Sequence, residues 1–199
     1  MKAYSLRAGE PRTVVGCSRN LHVNECHPDR VMEMYDLIYI VSGEWEIWQD
    51  EVAYSIGSGD VLLLQAGHRH YGLQPCVGEV RTMFIHFSAC ESDEQTDSIL
   101  ARPDRYSFPI ISHVPQGSPI PKLLDRVITN YWQRDVYAPE RAGDYLSMAL
   151  CELSLLGAGA HANADEGELV RRLIQTMEMN PERFYSVDEL SAMIHVSDR

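Results

Sequence analysis

The chain has 199 residues, of which 45% are hydrophobic and 23% are charged, an ordinary composition that argues against intrinsic disorder. Its formal net charge of −12 opposes nonspecific attraction to nucleic acid, because affinity for phosphates comes largely from clustered Lys and Arg. No apolar run is close to the length of a membrane-spanning helix, about 18 residues, and the N-terminal residues contain no signal-peptide core. We therefore expect a cytoplasmic protein.

Short apolar or alternating runs make up residues 13–88, and Gly, Pro, Asn and Asp interrupt them. This pattern is typical of many short antiparallel strands and predicts an all-β unit. Ser42 and Gly43 are expected to form a tight hairpin turn, and a short helix is predicted near residues 95–100. The clearest predicted strands are residues 36–41, 44–49, 60–64 and 80–88.

Two helices are predicted after a proline-containing connector. The first begins near residue 122, and the second covers about residues 139–156, where the apolar residues form one stripe. We expect a helical hairpin whose stripe either packs on the β-unit or forms a dimer interface. Residues 158–167 are small and polar with interspersed Gly, which indicates an interdomain linker.

Signals of further helices follow this linker. Residues 168–180 have helical periodicity, and the Asn180-Pro181 pair ends that helix. Ser186 and Glu189 have the spacing of a capping box, in which a hydroxyl and a carboxylate bind free backbone amides at a helix start.

Sequence motifs at both ends of the chain resemble the AraC/XylS family of transcription regulators. YDLIYIVSGEWEIW, followed by IGSGDVLLLQAGHRHYGLQP and MFIHFS, is similar to the cupin-type sensor domain of that family. ELVRRLIQTMEMNPERFYSVDELSAMIHVSDR resembles the opening of its helix-turn-helix. Two departures are Gln65-Ala66, where the family often has Pro-Pro, and His195, where it often has Gly.

The resemblance implies a mainly β fold: a cupin-like double-stranded β-helix, or jelly-roll barrel, followed by an α-helical hairpin and the first helices of a helix-turn-helix (HTH) domain. The implied domains are an effector-binding domain (1–115), a helical dimerisation segment (116–157), the linker (158–167) and an incomplete HTH domain (168–199). The chain is then expected to stop before the recognition helix.

The implied function is that of a DNA-binding transcription regulator and not of an enzyme. This chain would be its small-molecule-sensing and dimerising portion, with carbohydrates as the first effector class to consider by analogy. The full-length homodimer would bind DNA, and Ser197 and Arg199 are the candidate DNA contacts in this chain. No cofactor and no membrane partner are expected.

Candidate ligand contacts follow from strand alternation and from the resemblance. Asp36 and Ile38 share the strand face that points to a cupin ligand, and the resemblance also places His70 there. The sequence leaves open whether residues 82, 84 and 86 or residues 81, 83 and 85 face the pocket, but the first set suits a small polar ligand. The predicted ligand-binding residues are Asp36, Ile38, Trp45, His70, Thr82, Phe84 and His86.

Two alternatives stay open. In the metal-binding cupin pattern a glutamate stands seven residues before the hairpin glycine, where this chain has Asp36, and two histidines should fall near residues 29–32, which contain none. Asp36 and His70 alone would make a weak transition-metal site, so no metal is predicted. A metal-dependent cupin enzyme is the first alternative function. The second alternative is a ligand-free dimerisation module, which predicts a barrel packed shut with side chains.

Overall fold

The computed structural model describes residues 2–99 and 102–159, together with residues 173–174, 176–177, 183–186 and 188–190. The chain divides into one unit over Met1–Ala158 and a second over Gly159–Arg199. Among the described residues, no helix has the length and hydropathy that a membrane span requires.

Antiparallel strands dominate the first unit. The strands are β1 (Ala3–Arg7), β2 (Val14–Val23), β3 (Arg30–Val31), β4 (Met34–Ser42), β5 (Glu44–Gln49), β6 (Val52–Gly57), β7 (Asp60–Leu64), β8 (Arg69–Tyr71), β9 (Glu79–Ser88), β10 (Glu94–Thr96), β11 (Arg105–Pro109) and β12 (Ile111–His113). Two helices follow them, α1 (Ile120–Tyr131) and α2 (Ala138–Gly159). The predicted mainly β fold is confirmed, whereas the predicted domain boundaries stay predictions.

Three sheets hold these strands. The strand orders are β12-β7-β4-β9-β2, β3-β8-β5-β6 and β10-β1-β11. Apolar side chains of all three sheets and both helices belong to one hydrophobic core, which explains why the strands with two apolar faces, such as β7, are almost wholly buried. The predicted strands at 44–49 and 60–64 coincide with β5 and β7, and those at 36–41 and 80–88 lie within β4 and β9.

The predicted hairpin at Ser42 and Gly43 is wrong. β4 pairs with β7 and β9, while β5 pairs with β6 and β8, so this corner carries the chain from one sheet to another. Gly43 has a φ of 88°, and a Cβ there would lie 2.6 Å from the carbonyl oxygen of Glu79. The glycine therefore permits a close crossing of two backbones, and not a two-residue hairpin loop.

The helix predicted near residues 95–100 is also wrong in its described part. Glu94–Thr96 form β10, which pairs with β1 and sets Gln95 opposite Tyr4. Pairing with a strand some 90 positions earlier overrides the local helical preference, which is weak in a segment this short. Residue 100 lies outside the described residues.

The helices pack on the β-unit. The Tyr131 hydroxyl donates to the Val15 carbonyl oxygen at 2.8 Å and the Trp132 Nε1 to that of Cys17 at 3.1 Å, so the end of α1 binds the edge strand β2. The predicted stripe of α2 is buried, with Leu146, Leu150 and Leu153 fully enclosed. Of the two alternatives for the stripe, packing on the β-unit is therefore the one observed, and the hairpin stays a prediction.

The second unit is described only in part. The linker predicted at 158–167 lies outside the described residues except for Ala158 and Gly159, which end α2. The capping box is confirmed, because the Glu189 backbone N–H donates to Ser186 Oγ at 3.2 Å and the Ser186 backbone N–H donates to Glu189 Oε2 at 2.9 Å.

Candidate functional site

A cavity of about 140 Å³ lies where the five-stranded and four-stranded sheets face each other. Pro28 is exposed, and Asn20, His22 and Arg30 are partly exposed, so these residues form the open side of the cavity. The lining residues are Asn20, His22, His27, Pro28, Arg30, Asp36, Ile38, Trp45, Thr82 and Phe84.

Most of the residues predicted from the sequence meet at this cavity. Asp36, Ile38, Trp45, Thr82 and Phe84 line it. They come from β4, β5 and β9, and Thr82 and Phe84 belong to the first of the two sets left open on the closing strand.

The two predicted histidines lie behind this lining. His70 is buried, and its Nδ1 is 2.9 Å from His27 Nε2, within hydrogen-bond distance. His86 Nε2 is 3.3 Å from Asp36 Oδ2. Each histidine therefore contacts a lining residue from behind, His70 at His27 and His86 at Asp36. The predicted DNA contacts, Ser197 and Arg199, lie outside the described residues.

Asp36 is the one carboxylate among the lining residues, and its side chain is 1% exposed. Arg30 Nη2 donates to Asp36 Oδ2 at 2.9 Å. Burial alone would raise the pKa of Asp36, but the hydrogen bond from His86 and the electrostatic effects of His86, His27 and Arg30 together bring this pKa below its usual range. At neutral pH the carboxylate is therefore ionised, and the guanidinium balances its charge.

Three buried polar atoms of the lining residues have no hydrogen-bond partner among the described residues. They are Arg30 Nε, Asp36 Oδ1 and Trp45 Nε1. Leaving a buried donor or acceptor unsatisfied costs about 1–3 kcal/mol. All three atoms have almost no solvent-accessible surface, so neighbouring protein atoms cover them and they do not border the open space of the cavity.

Neutral imidazoles lie in the lining at His27 and behind it at His70. Burial lowers the pKa of His27 to about 3 and shifts the pKa of His70 in the same direction, so both rings are uncharged at neutral pH. At the open side, His22 Nε2 is 3.2 Å from Thr82 Oγ1, and the His22 ring lies 4.4 Å from the Trp45 ring, centroid to centroid.

His27, Asp36 and His70 could also be considered as metal ligands. Their ligand atoms lie within 4.8 Å of one another, and all three residues are buried. However, the two imidazoles are within hydrogen-bond distance of each other, and Arg30 already binds the carboxylate. A dication would add charge beside a guanidinium with no second lining carboxylate to offset it, so the donor types suit a metal but the charge balance does not.

Residues that sequence reasoning missed include Asn20, His22 and Arg30. On β2 the usual alternation is inverted: Asn20 and His22 face the cavity, while Leu21 and Val23 are 49% and 47% exposed on the other face. The alternation itself is readable in the sequence. The rule that apolar residues face inward selects the wrong face, because it assumes a dry interior.

Comparisons with known proteins agree with a sensing role. The family model described as "AraC-like ligand binding domain" matches residues 16–150. Over 63 residues the chain is 33% identical to the HTH-type transcriptional regulator YisR of Bacillus subtilis (strain 168). That alignment covers 32% of this chain and 22% of the regulator, so the chain spans about a fifth of this curated relative's length.

Similar solved structures include two with low TM-scores. A cupin superfamily protein from Desulfitobacterium hafniense DCB-2 is 20% identical with a TM-score of 0.35, over 43% of this chain and 77% of that one. A predicted oxalate decarboxylase from Thermotoga maritima is 14% identical with a TM-score of 0.35, over 39% of this chain and 69% of that one.

Proposed function

The chain belongs to the family of AraC-like ligand binding domains, and from this premise we propose that it is the small-molecule-sensing and dimerising portion of an AraC-type transcription regulator. Its role is binding and not catalysis. The similarity to a regulator with an HTH domain supports this proposal, as do the helix signals in residues 168–199. In the full-length protein, a homodimer would bind DNA through HTH domains, and Ser197 and Arg199 would contribute to the DNA contacts.

The observation that carries the proposal is the polar cavity between the two sheets. A cavity that is open on one side and lined by the polar side chains of Asn20, His27, Arg30 and Asp36 is expensive for a purely structural core and is useful for recognising a ligand. A dimerisation module without a ligand would instead pack this space with side chains. We therefore place the effector in the cavity, with carbohydrates as the first class to test.

A physical link connects the cavity to the helical segment. β2 presents Asn20 and His22 to the cavity, and the same strand accepts hydrogen bonds from Tyr131 and Trp132 at the end of α1. An effector that shifts β2 would therefore shift α1. A coupling of about 1–3 kcal/mol, typical between two sites, would be enough to change how residues 116–157 present the DNA-binding domains.

The second candidate function is that of a metal-dependent enzyme, which the cluster of His27, Asp36 and His70 favours. It predicts that divalent metal stabilises the chain strongly and that a chelator removes this stabilisation. The sensing function predicts stabilisation by an organic molecule that is not consumed and no effect of the chelator.

Thermal unfolding against a panel of sugars and related metabolites, with and without EDTA, tests both candidates. A ligand at about 100 times its Kd adds about 2.7 kcal/mol of stability, which raises the Tm by several degrees. Asn20→Trp should fill the open side of the cavity and abolish the shift, whereas Leu21→Trp, on the exposed face of the same strand, should preserve it. A shift that survives Asn20→Trp would place the ligand elsewhere, and a panel without any shift would contradict the proposal.

A further inference from the structure

We propose that the open edge of β2 pairs, antiparallel, with the same edge of a second copy of this chain, in a register centred on Leu21. The five-stranded sheets of the two copies would then form one continuous sheet. The inference rests on the proposed function, which requires two copies of the chain. It assigns an interface that lies outside the helical segment 116–157.

β2 is the last strand of the five-stranded sheet, and α1 covers only one half of its free edge. The strand order ends at β2, so in the described part of the chain one side of this ten-residue strand has no neighbouring strand. Near the start of β2, Tyr131 and Trp132 bind the carbonyl groups of Val15 and Cys17. Among the described residues, no side chain of α1 binds the backbone of residues 19–23, so this half of the edge stays open.

The open backbone groups belong to Arg19, Leu21 and Val23. β2 pairs with β9 in an unbroken register from Cys17 onward, and successive residues of an antiparallel strand direct their backbone groups to alternate sides. The Cys17 carbonyl faces away from β9, toward α1, so the N–H and C=O groups of every second residue after it face away as well. The Ser18 hydroxyl donates to the Arg19 carbonyl oxygen at 3.3 Å, and this oxygen can accept a second hydrogen bond.

These residues form a self-complementary edge. In an antiparallel pair centred on Leu21, this residue would lie opposite the partner's Leu21, and Arg19 would lie opposite the partner's Val23. All of these are hydrogen-bonded pairs, so each open N–H would meet a carbonyl oxygen of the other copy. A register two residues away would set Arg19 or Val23 against a position outside residues 19–23. The centre at Leu21 is therefore the register that uses the whole open edge, as a two-fold symmetric interface requires.

The side chains on the outer face of the sheet fit the same register. Leu21 and Val23 are exposed there, without the charged or proline residues that usually protect an edge strand from pairing. Pairing would bring the two copies of Leu21 together and would set Val23 beside the aliphatic stem of the partner's Arg19. Glu79 lies opposite Val23 on β9, so its carboxylate would share a row with the partner's Arg19 guanidinium. This arrangement of charges favours a second copy of the chain over an unrelated peptide.

On the inner face, the pairing reaches the open side of the cavity. Asn20 and His22 line the cavity, and in this register each His22 would lie opposite the partner's Asn20. An amide can donate a hydrogen bond to an imidazole or accept one from it, so the two polar side chains suit each other. The partner would border the open side of each cavity, and occupancy of the cavity would therefore be linked to pairing.

Sedimentation velocity of the full chain tests the pairing through residue 21. Leu21→Lys and Leu21→Glu should each weaken the dimer by about tenfold or more, because each variant places like charges directly opposite each other. Mixing the two variants in equal amounts should restore the dimer, since a lysine then faces a glutamate. This rescue is expected only where residue 21 contacts the same residue of the other copy.

A matched control and a local readout accompany this experiment. Val31→Lys makes the same change at an exposed position of β3, an edge strand of the four-stranded sheet, and should leave the dimer unchanged. Hydrogen exchange at the Leu21 and Val23 amides should become slower as the protein concentration rises, because pairing protects these groups.

Three outcomes would overturn the inference. A dimer that both Leu21 variants leave intact would place the interface elsewhere, and a dimer that both weaken without rescue by mixing would exclude the two-fold at this residue. A chain that is monomeric at every concentration would overturn the inference together with the dimerising role. In each case the thermal panel of metabolites decides the sensing function separately.

Discussion

Removing the carboxylate of Asp93 should destabilise the first unit severely, because this group neutralises a buried guanidinium. Arg12 Nη1 donates to Asp93 Oδ2 at 2.6 Å and Arg12 Nη2 to Asp93 Oδ1 at 2.7 Å, and the two side chains are 0% and 2% exposed. The backbone N–H groups of Arg7 and Cys90 also donate to this carboxylate. Asp93 therefore ties the segment before β2 to the chain that follows β9.

The magnitude follows from this burial. Removing one partner of a buried ion pair costs about 3–5 kcal/mol, because the other charge stays buried without compensation. With a urea m value of about 2 kcal/mol/M, Asp93→Ala should lower the unfolding midpoint by roughly 2 M. Asp104→Ala, which breaks the exposed pair with Arg7, should cost less than about 1 kcal/mol. A loss below about 1 kcal/mol for Asp93→Ala would refute the reasoning.

The same pair sets an expected pH dependence. Burial would raise the pKa of Asp93, but hydrogen bonds from Arg12 and from two backbone amides lower it below its usual range. Because the pKa is lower in the folded state than in the unfolded state, the stabilisation is complete above the unfolded value of about 4 and is lost as the pH falls through the folded value. Urea midpoints of the unmodified chain and of Asp93→Ala should therefore converge below about pH 4, and a constant difference would contradict this assignment.

Two further predictions concern local structure. Gly43→Ala should cost more than about 2 kcal/mol in urea unfolding, because a Cβ would lie 2.6 Å from the Glu79 carbonyl oxygen at a φ of 88°. Gly117→Ala has the same φ but open space around the Cβ. An equal loss of stability in both variants would show that the positive φ, and not the contact with the Glu79 backbone, determines the cost at Gly43. Ser186→Ala removes the bond to the Glu189 backbone N–H and should cost about 1 kcal/mol. Hydrogen exchange at that amide should then be about fivefold faster, and an unchanged rate would contradict the role of the cap.

Local patterns predicted the strands well because their information is local. β5 and β7 are rich in β-branched, aromatic and leucine side chains, and both strands begin directly after a glycine, Gly43 and Gly59. Ser186 and Glu189 are three positions apart, so their reciprocal hydrogen bonds were also predictable. In these cases the interacting groups are close along the chain.

Pairing between strands could not be predicted in this way. The turn at Gly43 has the residue type of a hairpin, but it connects two sheets because β4 and β5 find better partners elsewhere along the chain. Glu94–Thr96 become a strand because β1 offers a free edge beside them. Both outcomes depend on contacts that no short window of sequence contains.

The sequence by itself determined the mainly β class of this protein and brought Asp36, Ile38, Trp45, Thr82 and Phe84 into consideration, since alternation and motif spacing are properties of single strands. Only the tertiary structure decided what surrounds these residues. It joins His27 to a histidine 43 positions away, sets Arg30 against the Asp36 carboxylate and turns the polar face of β2 inward. Charge balance and hydrogen bonds arise between segments distant in sequence, so the chemistry of the cavity is decided by packing and not by any one motif.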